Sequence, residues 1–448
     1  MKWCLVLCLL SHASGFAQQT LSLEDAIILA KANNRTLQHS STTVLAEEAS
    51  ATEASSGLYP GLSFVAGYSR LEEGAFRLST TNQPQPLAVG SVVQDNFMFR
   101  IGLRQPLFTG FRLSGLSEAA DLRYTASLQE YAMAEQNVIF AVTAAYWTLY
   151  QARRVGGLAQ ENVARLEAYR TDTQELMKSG LATRNDLLRV EVRLSNGRIA
   201  ALEAQDDAVL ARMRLNTLIG RKPNDDIVLA TTPGSVTALV QTDSLDNTDD
   251  IDRLVDLATQ RRPDLLAAES RSDAASRTVS ATSGAWWPQI DLTANYQYSN
   301  PNSRYQPITP EFLGTWDVGV SLAMDLWNWG GTQSKVEQAE AVRRQADIRR
   351  MQVMDDVVLE VSEAALNLKR SKEKMAVAQL AAAQSDENLR VTSDKYRTGL
   401  ATSTELLDAE IDLYSAQVQL SGAEGEYALA HAGLVRAIGG PAVEPRPR

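Results

Sequence analysis

The sequence predicts a mainly α-helical protein that also carries a transmembrane β-barrel, both parts being built from a duplicated unit. Three features predict this fold: an internal repeat, four period-two segments long enough to cross a bilayer, and helical segments too long for a globular core. The chain has 448 residues, of which 44% are hydrophobic and 22% charged. This composition is ordinary for a folded protein and excludes a disordered or collagen-like polymer.

The internal repeat is visible at two places in the chain. Ser-Gly-Leu-Ala-Thr at 179–183 recurs as Thr-Gly-Leu-Ala-Thr at 398–402. Upstream, Leu-Tyr-Pro at 58–60 matches Trp-Trp-Pro at 286–288. These two motifs are slightly further apart in the chain than the two Gly-Leu-Ala-Thr motifs, because the loop between the paired strands is longer in the first half than in the second. Each half is therefore expected to contain a short helix, a strand, a loop, a strand, a very long helix, a turn and a long helix.

This repeat sets the expected domain boundaries. The first repeat is expected over 18–220 and the second over 251–439, followed by a C-terminal tail at 440–448. The segment 221–250 is rich in Pro, Asp and Thr, which indicates a linker packed on the outside. We expect strands at about 59–70, 96–108, 287–299 and 315–326, and helical-hairpin turns near 180 and 399.

The first residues have the features of a secretory signal peptide. Lys2 precedes an apolar stretch, and Gly-Phe-Ala at 15–17 forms a small-x-small cleavage site, so residues 1–17 are expected to be removed. Both cysteines, Cys4 and Cys8, would leave with this segment, and the mature chain would have no disulfide. Cys8 lies too early to be a lipidated cysteine at the cleavage point.

Four segments alternate apolar and polar residues, as β-strands with one apolar face do. Any one of these strands, taken singly, is more typical of an ordinary β-sandwich. Two features favour a membrane barrel: the length of about 10 residues, which crosses a bilayer when tilted, and aromatic residues where strands meet helices. These predicted membrane-interface aromatics are Tyr59, Phe108, Trp286, Trp287, Trp327 and Trp329.

The number of strands makes the predicted barrel an assembly of several copies. In lipid every backbone group must be paired, so a sheet has to close, and known barrels begin at about 8 strands. Two copies would give eight strands with a filled interior, and three would give twelve with an open lumen. The polar faces carry Asp, Asn, Gln, Thr and Gly, which favours a water-filled lumen.

The long helices predict a second, helical tube that continues from one end of this barrel. Apolar or small residues recur at alternating spacings of three and four from Leu187 to Leu218 and from Leu406 to Ala437. This is the heptad period of left-handed supercoils. The preceding segments, 113–178 and 332–397, contain no proline and would each run about 100 Å at 1.5 Å per residue.

Charge and hydropathy exclude two other classes of protein. The chain has 43 basic and 54 acidic side chains, a formal charge of −11, which argues against a nucleic-acid partner. The mean hydropathy is −0.20, and the longest apolar stretch, Trp3 to Leu10, is far shorter than the roughly 20 residues of a membrane-spanning helix.

Three short motifs in this plan resemble those of the TolC-like outer-membrane efflux proteins. Leu-Ser-Leu-Glu-Asp-Ala at 21–26 resembles the N-terminal motif of that family, and Leu-Arg-Gln-Pro-Leu-Phe at 103–108 resembles its Q-P-L-F element. Arg-Arg-Pro-Asp-Leu at 261–265 resembles its R-P-D-L element. In the second half Asp325 stands where the Q-P-L-F element has proline. The resemblance covers nearly all of the mature chain.

The resemblance implies a function, a location and partners. It implies a homotrimer with a twelve-stranded barrel in the outer membrane and an α-helical tunnel in the periplasm. This channel would be the passive exit duct of a tripartite efflux or type I secretion system. Its partners would be outer-membrane lipid, a periplasmic adaptor and an inner-membrane pump or ABC exporter. The cargo stays open between drugs, metal ions and a secreted polypeptide.

The resemblance also implies functional residues at the two hairpin turns. The turns are expected to form the closed end of the tunnel and to dock the adaptor, although glycine and threonine there also fit simple helix capping. The acidic constriction of the family falls on Glu405 and Asp408, which otherwise fit a solvated helix start. Asp186 and Tyr396 match residues that hold neighbouring hairpins shut, but Ala401 replaces the expected basic partner, for which Arg184 is a substitute. The docking residues are Gly180, Leu181, Thr183, Gly399, Leu400 and Thr402.

Two other classes of protein compete with a channel. An enzyme is disfavoured because the three histidines are isolated and no metal-ligand spacing, nucleophile elbow or phosphate-binding loop occurs, so no cofactor is expected. The alternative is a periplasmic coiled-coil adaptor or scaffold without a membrane barrel. Two helical hairpins and four strands of membrane-crossing length favour the channel.

Overall fold

The computed structural model describes residues 20–72, 75–78, 87–91, 93–230 and 250–440. The predicted signal peptide with both cysteines, most of the predicted linker and residues 441–448 of the tail lie outside these ranges. The chain divides into two compact units. The sheet unit comprises Thr42–Gln129 and Leu265–Val353, and the hairpin unit comprises Met1–Ser41, Glu130–Asp264 and Met354–Arg448.

Long helices and a four-stranded antiparallel sheet make up most of the described chain. A short 3-10 turn at Gly284–Trp286 precedes the third long strand. The other elements, in chain order, are β1 (Thr20–Leu21), α1 (Leu23–Asn33), α2 (Arg35–Ser56), β2 (Gly61–Arg70), β3 (Ala75–Leu78), β4 (Leu87–Ser91), β5 (Asp95–Phe108), α3 (Arg112–Lys178), α4 (Arg184–Leu218), β6 (Val228–Leu229), α5 (Ile251–Arg261), α6 (Pro263–Ser283), β7 (Gln289–Asn300), β8 (Leu313–Ala323), α7 (Gly331–Arg397) and α8 (Ser403–Ala437).

The duplication predicted from the sequence is confirmed by the lengths of the long helices. α3, which begins at Arg112, and α7, which begins at Gly331, both have 67 residues. α4 and α8 both have 35 residues, and each begins at the same distance from the start of the long helix before it. The two hairpin turns contain Gly180 at φ 77° and Gly399 at φ 75°. The same unit is therefore folded twice.

Each half opens with two helices, where the sequence predicts a single short one. The break lies at Asn34 in the first half and at Arg262 in the second. Asn34 leaves the helix because its Oδ1 accepts from the Thr36 N–H at 2.9 Å. Arg262 has an extended backbone because Pro263 follows it.

Both breaks contact the end of a long helix in the hairpin unit. Asn34 Nδ2 donates to the Leu218 carbonyl at 3.2 Å, and Arg262 Nη1 donates to the Ala437 carbonyl at 3.3 Å. The residues that accept these bonds occupy equivalent positions in the two repeats and are the last residues of α4 and α8. Each break thereby satisfies a carbonyl that has no partner within its own helix.

The four long strands form one sheet in the order β2-β5-β7-β8. Its register aligns Phe64, Ile101, Tyr296 and Trp316 in one row across all four strands. These four side chains lie on the apolar face predicted from the period-two pattern, and all are about half exposed or more. The opposite face carries polar rows. One such row consists of Ser63, Gly102, Asn295 and Asp317.

A second antiparallel pair, β3 with β4, lies in the connection between β2 and β5. From the sequence this connection is expected to be a loop. Its strands, Ala-Phe-Arg-Leu and Leu-Ala-Val-Gly-Ser, have only four and five residues and do not alternate apolar and polar residues, so no period-two pattern identifies them.

The hairpin unit has its own apolar core. Leu21 of β1, Ala26 and Ala30 of α1, and Tyr146 of α3 are all buried in it. β1 pairs with β6 in parallel, and the Tyr146 hydroxyl donates to the Leu21 carbonyl at 3.1 Å. No helix among the described residues is long and apolar enough to cross a membrane.

The helix junctions generate a prediction about glycine. Gly220 has φ 76°, and a Cβ atom there would lie 2.5 Å from the Cβ of Asn33. We expect Gly220→Ala to destabilise the fold by about 2 kcal/mol, since both backbone strain and a steric clash oppose it. Gly157→Ala is the matched control, because Gly157 lies within α3 with open space around it, and alanine there should stabilise by up to about 1 kcal/mol. Thermal unfolding followed by circular dichroism measures both, and equal midpoints would contradict the prediction.

Candidate functional site

The two hairpin turns have the same backbone geometry. The Leu181 N–H donates to the Leu176 carbonyl at 2.8 Å, and the Gly180 N–H donates to the Met177 carbonyl at 3.1 Å. The second turn repeats both bonds from Leu400 and Gly399. This pattern is the Schellman motif, in which glycine takes the left-handed conformation. It leaves Leu181 77% exposed and Leu400 80% exposed, so each turn presents one leucine to solvent.

The helix that follows each turn begins with a capping box. Thr183 Oγ1 accepts from the Asp186 N–H at 3.2 Å, and Asp186 Oδ2 accepts from the Thr183 N–H at 3.0 Å. Thr402 and Glu405 make the equivalent pair, with Glu405 Oε2 2.7 Å from the Thr402 nitrogen. Hydrogen bonds from these threonines lower the pKa of Asp186 and of Glu405. Both carboxylates are therefore charged at neutral pH.

Two contacts join the starts of α4 and α8. Asp186 Oδ1 accepts from Ser403 Oγ at 2.8 Å, so Asp186 caps its own helix and also bonds to the other hairpin. Arg189 Nη1 donates to Thr404 Oγ1 at 2.8 Å. Arg189 is thus a cation of α4 that reaches across to α8.

The remaining predicted gate residues occupy different positions. Asp408 lines a cleft of about 450 Å³ between α4 and α8, together with Arg189 and Arg193. Glu405 is bonded to Thr402, so the two acids predicted as one constriction have different surroundings within the chain. Tyr396 lies in the last turn of α7, and no hydrogen bond joins it to Asp186 in the described part of the chain.

A buried carboxylate lies further along α8. Glu410 is 0% exposed, its Oε2 is 2.9 Å from Arg165 Nε, and its Oε1 accepts from the Tyr169 hydroxyl at 3.0 Å. Burial raises the pKa of Tyr169, and the charge of Glu410 raises it further. This contact was not predicted from the sequence. The available signal was that Glu410 lies next to Leu406, Ala409 and Leu413 on the buried side of α8.

Most of the predicted interface aromatics are exposed at the end of the sheet where strands join helices. Tyr59, Trp286, Trp287, Trp327 and Trp329 are each at least half exposed. Phe108 is more covered and packs edge-on against Phe111, with ring centroids 5.7 Å apart.

A second aromatic group, missed in the sequence, lies at the opposite end of the sheet. Tyr68 packs against Phe97 at 4.9 Å, and Phe312 stacks on Tyr298 at 5.3 Å. Membrane β-proteins carry aromatic residues at both lipid–water interfaces, and the sheet has a group at each end.

Comparison with known proteins identifies relatives of this chain. The family model described as "Outer membrane efflux protein" matches residues 26–221 and 254–440. The outer membrane efflux protein BepC of Brucella suis is 26% identical over 430 residues, which cover 95% of this chain and 87% of BepC. The outer membrane protein TolC of Vibrio cholerae is 24% identical over 311 residues, which cover 69% of each chain. The open-state crystal structure of the Neisseria gonorrhoeae MtrE outer membrane channel matches with a TM-score of 0.75 at 21% identity, covering 93% of this chain and 89% of that one.

The solved structure has the same fold as this chain, so the predicted fold class is confirmed. This chain belongs to the outer membrane efflux protein family. It is an efflux channel of the outer membrane, and the relatives favour this function over the alternative of a periplasmic adaptor. Members of the family are channels that work within tripartite systems.

The buried carboxylate generates the second prediction. Glu410→Ala leaves the guanidinium of Arg165 and the Tyr169 hydroxyl without their partner, and because the Arg165 side chain is 30% exposed we expect a cost of about 2 to 3 kcal/mol. Glu426→Ala on the same helix is the matched control, because Glu426 pairs with Lys374 where both side chains are 55% exposed, and its loss should cost less than about 1 kcal/mol. Thermal unfolding of the purified protein compares the two. Similar melting temperatures for both variants would show that the Glu410 contact contributes little.

Proposed function

We propose that three copies of this chain form a passive exit channel whose three sheets close into one twelve-stranded barrel. The observation that carries this proposal is the pair of unpaired sheet edges. Among the described strands, β2 and β8 each have only one neighbour in the sheet, and all ten residues of β2 are exposed. In lipid these edges need partners, and pairing β2 of one copy with β8 of the next closes a ring.

Exposed apolar residues on the helices support the same assembly. On α4 they recur at about heptad spacing, and on α7 they form a second series. A solvated helix surface does not need such a stripe, whereas contact between neighbouring helices in a tunnel buries it. The exposed residues are Leu188, Val192, Ile199, Leu202 and Leu210 on α4, and Val342, Ile348, Met351, Met354, Val358, Leu359, Leu366, Val377 and Leu380 on α7.

The proposed gate is the contact between the starts of α4 and α8. Asp186 and Arg189 on α4 hold Ser403 and Thr404 on α8, so that Arg189 supplies the cation that the family resemblance places at position 401. Tyr396 remains the other proposed member of this gate. Breaking these two bonds would free the start of α8. Glu405 and Asp408, repeated threefold around the lumen, would then present a ring of like charges that attracts cations.

The proposed adaptor surface consists of the two exposed turns, in which Leu181 and Leu400 are the apolar anchors. Two similar turns in each of three chains would offer six similar sites to a periplasmic adaptor, which would link the channel to an inner-membrane pump or ABC exporter. The chain itself would carry out no catalysis. In this proposal residues 18–220 and 251–439 are the two repeats, joined by 221–250 and preceded by a cleaved segment at 1–17.

The assembly is tested by cross-linking and native mass measurement of protein extracted from outer-membrane fractions. We expect three chains for the wild type and loss of the trimer for Leu202→Glu, because a charge would be buried in the contact between copies. Gln205→Glu is the matched control, since Gln205 is an exposed polar residue on the same helix. A monomer in the soluble periplasmic fraction would overturn the proposal.

The gate is tested by single-channel recording of Asp186→Ala. The substitution removes a helix cap and the bond to Ser403, which should weaken the closed state by about 1 kcal/mol per chain and raise the open fraction at least about fivefold. Ser403→Ala should act in the same direction, because it removes the same bond between hairpins without removing the cap. Asp172→Ala, an exposed carboxylate in α3, is the control. Open fractions that match the control would exclude Asp186 from the gate.

A further inference from the structure

The start of the connection between β7 and β8 is fixed to the sheet. Asn302 is only 1% exposed, and its Nδ2 donates to the Leu313 carbonyl at 2.9 Å and to Thr315 Oγ1 at 3.3 Å. Its Oδ1 accepts from the Arg304 N–H at 3.0 Å. The start of this connection is therefore fixed to the first residues of β8 by a fully covered amide.

An ion pair holds the side chain of Arg304, two residues after Asn302. Arg304 Nη2 donates to Asp317 Oδ1 at 2.7 Å, and Asp317 Oδ2 accepts from Asn295 Nδ2 at 2.9 Å. Asp317 and Thr315 both project from the polar face of the sheet, as their register with Asn295 and Gln297 requires. The chain from 301 to 311, which we call the strap, therefore contacts the polar face at its start, through Asn302 and Arg304.

Phe312 marks the point where the chain returns to the apolar face. Its ring stacks on Tyr298 at 5.3 Å and lies 5.8 Å from the ring of Phe97. Both of those side chains belong to the apolar face, opposite Asp317. The strap thus has a buried amide at one end, an aromatic anchor at the other, and between them the Arg304 pair.

These three contacts differ in strength. The side chains of Arg304 and Asp317 are 45% and 39% exposed, and an exposed ion pair is weak and weakens further as salt rises. Asn302 is held by burial, and Phe312, which is 40% exposed, is held by its ring contacts; salt screens neither. The Arg304 side chain can therefore separate from Asp317 while Asn302 and Phe312 keep both ends of the segment in place.

We infer that the strap is a second constriction, at the end of the barrel away from the helices, and that Arg304 and Asp317 set the largest solute that passes there. The inference rests on the proposed barrel, because only a closed barrel turns the polar face into a lumen. Three straps would then narrow one mouth, independently of the gate at the hairpin turns. Cargo leaving the channel would displace the weak contact between Arg304 and Asp317.

Polymer exclusion in planar bilayers tests this inference at one mouth of the channel. Polyethylene glycols of graded mass are added on the strap side only, and the largest polymer that enters the pore and lowers conductance defines the size limit. Arg304→Ala and Asp317→Asn should each raise this limit, and the double variant should match the single ones because all three lack the same contact. In the wild type the limit should rise with salt, and in the variants it should not.

Arg70→Ala is the matched control. Arg70 lies at the same end of the sheet as the strap and pairs with Asp95, the residue opposite it in the sheet register. This ion pair lies on the apolar face, so its loss should leave the lumen unchanged. Its size limit should equal that of the wild type. A limit unchanged in Arg304→Ala and Asp317→Asn would overturn the strap while leaving the channel intact. A wild-type protein that forms no trimer and no channel would instead refute the proposed function.

Discussion

In a bilayer, every backbone N–H and C=O along β2 and β8 needs a hydrogen-bond partner, because hydrocarbon offers none. Within the described chain each of these strands is paired on only one side, so the isolated sheet leaves two rows of polar groups unsatisfied. Several features of the chain depend on this constraint. The apolar face fits lipid only if the sheet closes, and the polar row that contains Asp317 becomes a lumen only in a closed barrel.

The two repeats of the chain have the same fold, but they differ in the residues that form contacts between the two helical hairpins. Asp186 and Glu405 occupy equivalent positions, and both cap their helices. Only Asp186 is seen to bond also to the other hairpin in the described structure, through Ser403, whose equivalent in the first half is Arg184. Arg262 likewise bonds to Asp264 and to Glu360, whereas its counterpart Asn34 is uncharged. Repetition therefore fixes the geometry, and the differences give the two hairpins separate roles.

Local patterns in the sequence predict much of this fold. The recurrence of Gly180 and Gly399 in matching turns reveals the duplication, and the alternation around Tyr296 predicts the apolar face of the sheet. The helix break at Asn34 was not predicted, because it depends on bonds to Thr36 and Leu218 that no periodicity encodes. Glu410 was missed for the same reason, since its partners lie on a helix of the other repeat. The strap was not predicted either. Its three prolines indicate only a turn, whereas its attachment to the sheet depends on the contact between Arg304 and Asp317, which no sequence pattern encodes.

Contact strength along α8 restricts how the proposed gate can open. The bonds from Ser403 and Thr404 join side chains at the start of the helix that are partly accessible to water, and such bonds exchange readily with water for a net cost of about 1 kcal/mol each. Glu410 lies further along and is fully buried, so separating it from Arg165 would strand a charge in a dry environment. When the gate opens, the bonds of Ser403 and Thr404 therefore break before the contact between Glu410 and Arg165. Movement of α8 is then confined to its first turns, which carry Glu405 and Asp408, while Glu410 keeps the rest of the helix packed against α3.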